Sequence, residues 1–251
     1  MTIALPARAK LNLGLEVIGS GADGYHEVRT TLQAIDLHDL LEVTPGDRTS
    51  LTISGLSVAG SAENTVLKAH AALERAAQRV MPTRFQLHKR IPPGSGMGGA
   101  SSDAAAALRG LATIHGLDVD LNRLAGELGA DVPFFVNGGT AVASGRGDVL
   151  TPMSTDSAWF AIAWPGVELS TAAVYRAWDE VGGEGPNHLR RAAERVEPRL
   201  QSFAASLEEG PWEMTGSGSA FFKRCDGREH AIRVTAGLTC WTAVSRAVGA
   251  W

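Results

Sequence analysis

The sequence predicts an α+β chain in two domains. Three observations carry this. Segments with period-two alternation recur between residues 9 and 245, helical segments are interspersed among them, and a polar stretch with a proline at residues 150–157 offers a boundary. Its length of 251 residues suits one large or two small domains, and 44% hydrophobic residues suffice for a sizeable core. The expected domains are residues 1–152 and 153–251.

Residues 9–18 alternate: Leu11, Leu13, Leu15 and Val17 are expected to face a core, while Lys10, Asn12, Gly14 and Glu16 share the opposite face. A glycine-rich turn over residues 19–24 leads to Tyr25, His26 and a second apolar run at 28–37, so the pair reads as a hairpin. Strands are expected at 40–44 and 51–54, then a helix capped by Asn64 in which His70 is a helix-face residue and no metal ligand. Phe85, Leu87, Lys89 and Ile91 form a strand that enters a glycine loop, from which Ser101, Ser102 and Asp103, good N-cap residues, lead into an alanine helix. Asp120 caps a helix over residues 121–128 that Gly129 ends; Asp131 follows, held by the apolar Val132, Pro133, Phe134 and Phe135. Strands at 140–143 and 159–164, a helix from Ser170 or Thr171 to Trp178 carrying Tyr175, and solvated helices over 187–207 come next. A second glycine-serine loop at 215–219, a helix at 229–236 and a strand at 239–245 close the chain.

The first glycine loop is the feature on which the chemistry turns. A loop of Gly94, Gly96, Gly98 and Gly99 feeding a helix N-terminus leaves backbone N–H groups unpaired and aims the positive end of the helix dipole at them, which makes an anion site. A dinucleotide fingerprint fits the glycine spacing, but Lys89, Arg90, Pro92 and Pro93 precede it where a buried apolar strand is required. A P-loop needs Lys-Ser/Thr where Ala100 and Ser101 stand, and the protein-kinase loop needs H-R-D and D-F-G motifs that the chain lacks.

A net charge of -4 with pI near 6.0, and no long basic run, speaks against nucleic acid as a partner. Two cysteines, Cys225 and Cys240, are too few for a disulfide framework or a metal cluster and fit a reducing compartment. No apolar run reaches the roughly 18 residues of a membrane span, and the N-terminus has no secretory signature, so a cytoplasmic protein with no membrane partner is expected. Its oligomeric state, monomer or weak dimer, stays open.

Five motifs in order resemble the GHMP small-molecule kinases, and within them the branch acting on 4-diphosphocytidyl-2-C-methyl-D-erythritol. These are Pro6-Ala-Arg-Ala-Lys10-Leu-Asn12-Leu with Asp23-Gly-Tyr25-His26-Glu27, the Pro92-Pro-Gly-Ser-Gly-Met-Gly-Gly-Ala-Ser-Ser102 loop, Gly129-Ala-Asp131-Val-Pro-Phe-Phe135, and Thr215-Gly-Ser-Gly-Ser219. The resemblance implies an N-terminal α/β domain like domain 2 of ribosomal protein S5, a C-terminal α+β domain, and an active site in the cleft between them. It implies ATP with Mg2+ as cofactors and phosphorylation of the substrate's 2-hydroxyl in non-mevalonate isoprenoid synthesis. By position Lys10 and Asp131 match the catalytic pair. Asn64, Pro92, Gly94, Ser95, Gly96, Met97, Gly98, Gly99, Ser101 and Ser102 match the nucleotide site, and Asn12, Tyr25, His26, Lys89, Asp131, Thr171 and Tyr175 match the acceptor site. No residue is assigned to the metal. Pro93, Ser95 and Thr215 depart from the residues usual in relatives, and the stretch from Asn187 to Gly216 is shorter than theirs. A homoserine or mevalonate kinase-like activity, or a non-catalytic binding protein, are the alternatives; the first lacks a reason for Tyr25, His26 and Tyr175, the second for retaining both Lys10 and Asp131.

Overall fold

The computed structural model describes residues 1–21, 25–56 and 64–251. Asp23 and Gly24, part of the expected hairpin turn and of the motif around Tyr25, lie outside the described residues. In chain order the elements are β1 (Ile3–Ser20), β2 (His26–Pro45), β3 (Ser50–Gly55), α1 (Thr65–Ala77), β4 (Thr83–Lys89), α2 (Gly99–His115), α3 (Leu121–Leu128), α4 (Val132–Asn137), β5 (Thr140–Ser144) and β6 (Val149–Met153). These are followed by β7 (Trp159–Trp164), α5 (Thr171–Val181), α6 (Arg190–Val196), α7 (Arg199–Ser206), β8 (Glu213–Met214), β9 (Phe221–Cys225), α8 (Arg228–Ala236) and β10 (Trp241–Arg246). The α+β class read from the sequence is the observed one.

The chain divides into two compact units that alternate along it. The first comprises Met1–Ala9, His38–Ile91 and Gly98–Asn137; the second comprises Lys10–Leu37, Pro92–Met97 and Gly138–Trp251. In the first unit the C-terminal part of β2 pairs antiparallel with β4 from Leu40↔His88 to Pro45↔Thr83, and β3 pairs parallel with β4 from Ser50↔Arg84 to Gly55↔Lys89. A parallel pair needs a crossover, which α1 supplies. Helix α2 packs against α1, α3 and α4, and its four consecutive alanines, Ala104, Ala105, Ala106 and Ala107, are all buried. Phe85, Leu73, Leu108 and Phe134 fill the interior.

In the second unit the N-terminal part of β2 pairs with β5 at Thr30↔Ala143 through Gln33↔Thr140, and β5 with β6. A separate antiparallel sheet in the order β10-β7-β9-β8 carries α8 between β9 and β10. Its core gathers Leu15, Val17, Val28, Leu169, Val174, Leu189, Leu200, Trp212, Met214 and Phe221.

Three sequence expectations change. The runs at 28–37 and 40–44 are one strand, because the polar His38-Asp39 between them does not break it; Asp39 is fully buried and hydrogen-bonded. Residues 149–153, which overlap the stretch 150–157 read as a boundary, form β6. Alternation at the start of β1 does not divide core from solvent: Ala9, Lys10, Leu11 and Asn12 are all buried. The caps are as expected for Asn64 and Asp120, whose side chains accept from Val66 N (2.9 Å) and Arg123 N (3.0 Å).

Two substitutions separate packing from capping. Phe85→Ala empties a fully buried aromatic site and should lower stability by about 3–5 kcal/mol, whereas Asp120→Ala, losing only an exposed cap bond, should cost about 1 kcal/mol. Urea unfolding of both variants checks the order, and equal losses would contradict this packing.

Candidate active site

In the second unit the site grows from β1. Lys10 and Asn12 are each 4% exposed, and Lys10 Nζ donates to Asn12 Oδ1 at 2.5 Å. Asn12 is fixed on its other atoms: its N donates to Thr215 Oγ1 at 3.0 Å and its Nδ2 to Thr30 Oγ1 at 2.9 Å, while Thr30 Oγ1 donates to Gly14 O at 2.5 Å. Residues 92–97 are sewn to the second glycine loop by main-chain bonds. Gly94 O accepts from Ser219 N (3.2 Å) and Leu169 N (3.1 Å), Ser95 O accepts from Ala220 N (3.0 Å), and Met97 O accepts from Lys10 N (3.0 Å). Ser95 Oγ donates to Pro92 O at 2.6 Å.

These contacts explain two glycines. A Cβ at Gly96, whose φ is +79°, would lie 2.2 Å from Thr215 O; one at Gly216, with φ +57°, would lie 2.8 Å from Gly96 O and 3.2 Å from both Lys10 Nζ and Asn12 Oδ1. Gly96 therefore admits a neighbouring backbone, and Gly216 is the residue that lets the main chain reach the Lys10–Asn12 pair.

The acceptor candidates separate into two places within this unit. His26 stacks on Tyr175 (centroids 4.8 Å apart), meets the edge of Trp178 (5.4 Å), and its Nε2 lies 2.7 Å from Asp179 Oδ1. Tyr25 is 58% exposed and lies beneath the Arg146 guanidinium, 4.1 Å from its ring centroid. Thr171 shares a hydrogen bond of 2.9 Å with Ser217, joining α5 to the second glycine loop. Helix α5 begins where expected, with Ser170 as its cap.

The first unit holds the remaining candidates. Gly98, at φ +73°, is the N-cap of α2, and no side chain caps this helix. Ser101, Ser102 and Asp103 therefore lie inside the helix and not at its cap. The N–H groups of the first turn keep their capacity for an anion, because the residue that would compete for them is a glycine. Ser102 is 1% exposed, and its Oγ has no hydrogen-bond partner among the described residues. Thr65 Oγ1 donates to Ala100 O at 2.7 Å, which brings the Asn64 cap of α1 beside this start. Asp131 is half-buried immediately before α4, after the Gly129 that ends α3.

Lys89 has an environment that its sequence neighbours do not announce. It is 5% exposed and its ammonium is bound by Asp39 and, at 2.5 Å, by Asp103 Oδ2. Asp39 Oδ1 also accepts from Arg90 N (2.5 Å) and Ile91 N (2.8 Å). Burial alone would lower the Lys89 pKa, but Asp103 and Asp39 overcome it and raise it. Burial pushes the Asp103 carboxyl up to about 7 against the opposing pull of Lys89, with Asp39 adding to the rise.

Sequence reasoning missed Asp39, Asp103 in this role, Asn187, Trp178 and Asp179. Asn187 is 5% exposed and its Nδ2 donates to Met214 O (2.6 Å) and Gly216 O (2.9 Å), so it holds the second loop in shape. A signal existed for the last two, since Trp178 and Asp179 fall three and four residues after Tyr175 on one helix face. Asp39, 50 residues from Lys89 in sequence, offered none.

Comparison with known proteins adds the lineage. Residues 64–139 match the GHMP kinases N terminal domain. The chain is 37% identical to a 4-diphosphocytidyl-2-C-methyl-D-erythritol kinase of Thermus thermophilus, covering 94% of this chain and 92% of that protein. It belongs to this kinase family. The corresponding enzyme of Shewanella loihica is 36% identical over 94% of this chain and 89% of its own. A crystal structure of a 4-(cytidine 5'-diphospho)-2C-methyl-D-erythritol kinase superposes with a TM-score of 0.83 at 34% identity, covering 98% of this chain and all of that one (100%). A homoserine kinase of Cytophaga hutchinsonii shares the fold at a TM-score of 0.66 and 17% identity, covering 99% of this chain and 95% of that one. The chain is thus a small-molecule kinase by family, and among the described residues no helix is long and apolar enough to cross a membrane.

Substitutions at Gly96 and Asp103 test this geometry. Gly96→Ala should destabilise the fold, since its Cβ meets the backbone oxygen of Thr215 and not an open anion site; a melting temperature equal to wild type would contradict this. Asp103, with its folded pKa raised from 3.8 to about 7, binds a proton more tightly folded than unfolded, so its contribution is present below about pH 4 and is lost as pH rises to about 7. Stability of Asp103→Asn measured from pH 4 to 8 should lack that decline.

Proposed function

We propose that the protein transfers the γ-phosphoryl group of ATP to the 2-hydroxyl of 4-diphosphocytidyl-2-C-methyl-D-erythritol, the substrate in its relatives' names. The observation that carries the donor half is the uncapped start of α2 beside the buried, unpartnered Ser102 Oγ. Phosphate oxygens are the ligand that such N–H groups favour. Gly98, Gly99, Ser101 and Ser102 would take the phosphates, with residues Pro92, Gly94, Ser95, Gly96 and Met97 shaping the loop, and Asn64 would contact the nucleotide base.

Phosphoryl transfer asks a protein to align donor and acceptor and to stabilise charge on the transferred group. Asp131 would accept or orient the hydroxyl proton, and Lys10, aimed by Asn12, would offset the developing negative charge. For the acceptor, Tyr25 and Tyr175 supply aromatic faces for the cytosine, a contact worth about 1–3 kcal/mol per base. His26, with its Nε2 2.7 Å from Asp179 Oδ1, would read the polar edge of the cytosine. Thr171 lies at the start of the same helix.

Magnesium would neutralise phosphate charge. Among the described residues no group of three His, Cys, Asp or Glu side chains could hold a metal ion.

ADP release, measured with the diphosphocytidyl substrate beside homoserine and mevalonate, tests the reading; faster turnover of either alternative sinks it. Asp131→Asn should lower kcat by about 10²–10⁴-fold with both substrate affinities within a few-fold, and Lys10→Ala should do the same. The double variant should be scarcely worse than either single one, because residues acting on one transition state are not additive. Additive losses would remove the pair from the mechanism.

A further inference from the structure

Asp39 from β2, Lys89 from the end of β4 and Asp103, the fifth residue of α2, meet in the first unit at exposures of 0%, 5% and 3%. No step of the proposed reaction uses them, and three ionisable groups are costly to bury without a purpose or near-complete hydrogen bonding. Their bonds have a definite direction. Asp39 grips the backbone at Arg90 and Ile91, the last residues before the chain leaves this unit, and Lys89 ties that carboxylate to α2 close to where the chain re-enters at Gly98. A Cβ at Gly99 would stand 3.4 Å from Lys89 Nζ, so the ammonium lies directly against the helix start. Oδ1 of Asp103 carries no hydrogen bond among the described residues, and neither does the adjacent Ser102 Oγ.

We propose that Lys89 is a positioning residue for anion binding at the start of α2, tying the strand exit to the helix and balancing the carboxylates buried beneath its N–H groups. This rests on the donor-site reading above. Lys89 acts through Asp39 and Asp103 and not by touching the acceptor, contrary to its expected place among the acceptor residues.

The charge count gives the test its signs. With both carboxylates ionised the cluster is net negative, which opposes a phosphate about one helical turn away; with Asp103 protonated it is neutral. Lys89 from β4 and Asp39 from β2 are the charged groups that shift Asp103; of the helices packed on α2, α1 carries Lys68, His70, Glu74 and Arg75, and α3 carries Arg123 and Glu127. Helix α4 carries no ionisable side chain. Lys89→Met removes the balancing charge at every pH. Asp103→Asn keeps the shape and an acceptor for Lys89 but removes the negative charge.

Calorimetry with a non-hydrolysable ATP analogue, and separately with the diphosphocytidyl acceptor, at pH 6 and pH 8 decides the matter. Lys89→Met should bind the analogue about tenfold more weakly at both pH values and the acceptor within about twofold of wild type. Asp103→Asn should match wild type at pH 6 and bind the analogue roughly three- to tenfold more tightly at pH 8, because comparison with wild type cancels titration of the ligand itself. Loss of packing alone would weaken both variants. Weakening in both, no change in either folded variant, or a loss of acceptor affinity in Lys89→Met would each overturn the proposal. Should Lys89→Met not fold, Asp103→Asn decides alone, and affinity equal to wild type at pH 8 overturns it. Failure of wild type to bind the analogue would instead refute the donor-site reading.

Discussion

The first unit depends on an ammonium group carried into its interior. Taking Lys89 and two carboxylates out of water costs several kcal/mol per ion, and the cost is offset because the Lys89 ammonium and three carboxylate oxygens find short, charge-assisted bonds. Only Asp103 Oδ1 is left over. An arrangement so dependent on geometry cannot tolerate drift of β4 against α2, since a shift of an ångström would leave a buried charge poorly paired. The end of the strand and the start of the helix are held for that reason.

In the second unit the constraint is of another kind. Residues 92–97 have no side chain that could anchor them by charge, so main-chain bonds to residues 169, 219 and 220 do it. Close approach of two backbones requires glycine at Gly96 and Gly216, both at positive φ. Asn187 adds two bonds to the second loop from a neighbouring segment, which Leu15 holds through Pro186 O and His188 N. Thus Asn12, Thr215, Gly216 and Asn187, far apart in sequence, share one network around Lys10.

Much of this was legible in the sequence where the cause is local. Caps at Asn64, Asp120 and Ser170, the glycine loops and the strand order along the chain are written in short windows, because a cap or a turn is decided within a few residues. Lys89 alternates with Phe85, Leu87 and Ile91, and no neighbour in sequence announces its partners: its burial becomes reasonable only with Asp39 and Asp103 beside it. Periodicity failed at Lys10 and Asn12, since a strand buried on both faces has no alternation of exposure to display. Nor could the alternation of the two units along the chain be read, because β1 and β2 run unbroken through residues that belong to both.

The donor and acceptor readings differ in what they demand of a sequence. Phosphate recognition as proposed for the start of α2 would use backbone N–H groups, which ask only for glycine at the cap and small residues after it, a condition many sequences on this fold can meet. The residues proposed for the acceptor would act through side chains: His26 between Tyr175, Trp178 and Asp179, and Tyr25 beneath Arg146. Likeness of fold therefore carries the donor chemistry between relatives more readily than the choice of acceptor. Under the proposed reading, residues 175, 178 and 179 on a single helix face would favour an acceptor bearing a nucleobase, because an aliphatic alcohol such as homoserine gives a stacked imidazole and its carboxylate partner nothing planar to read.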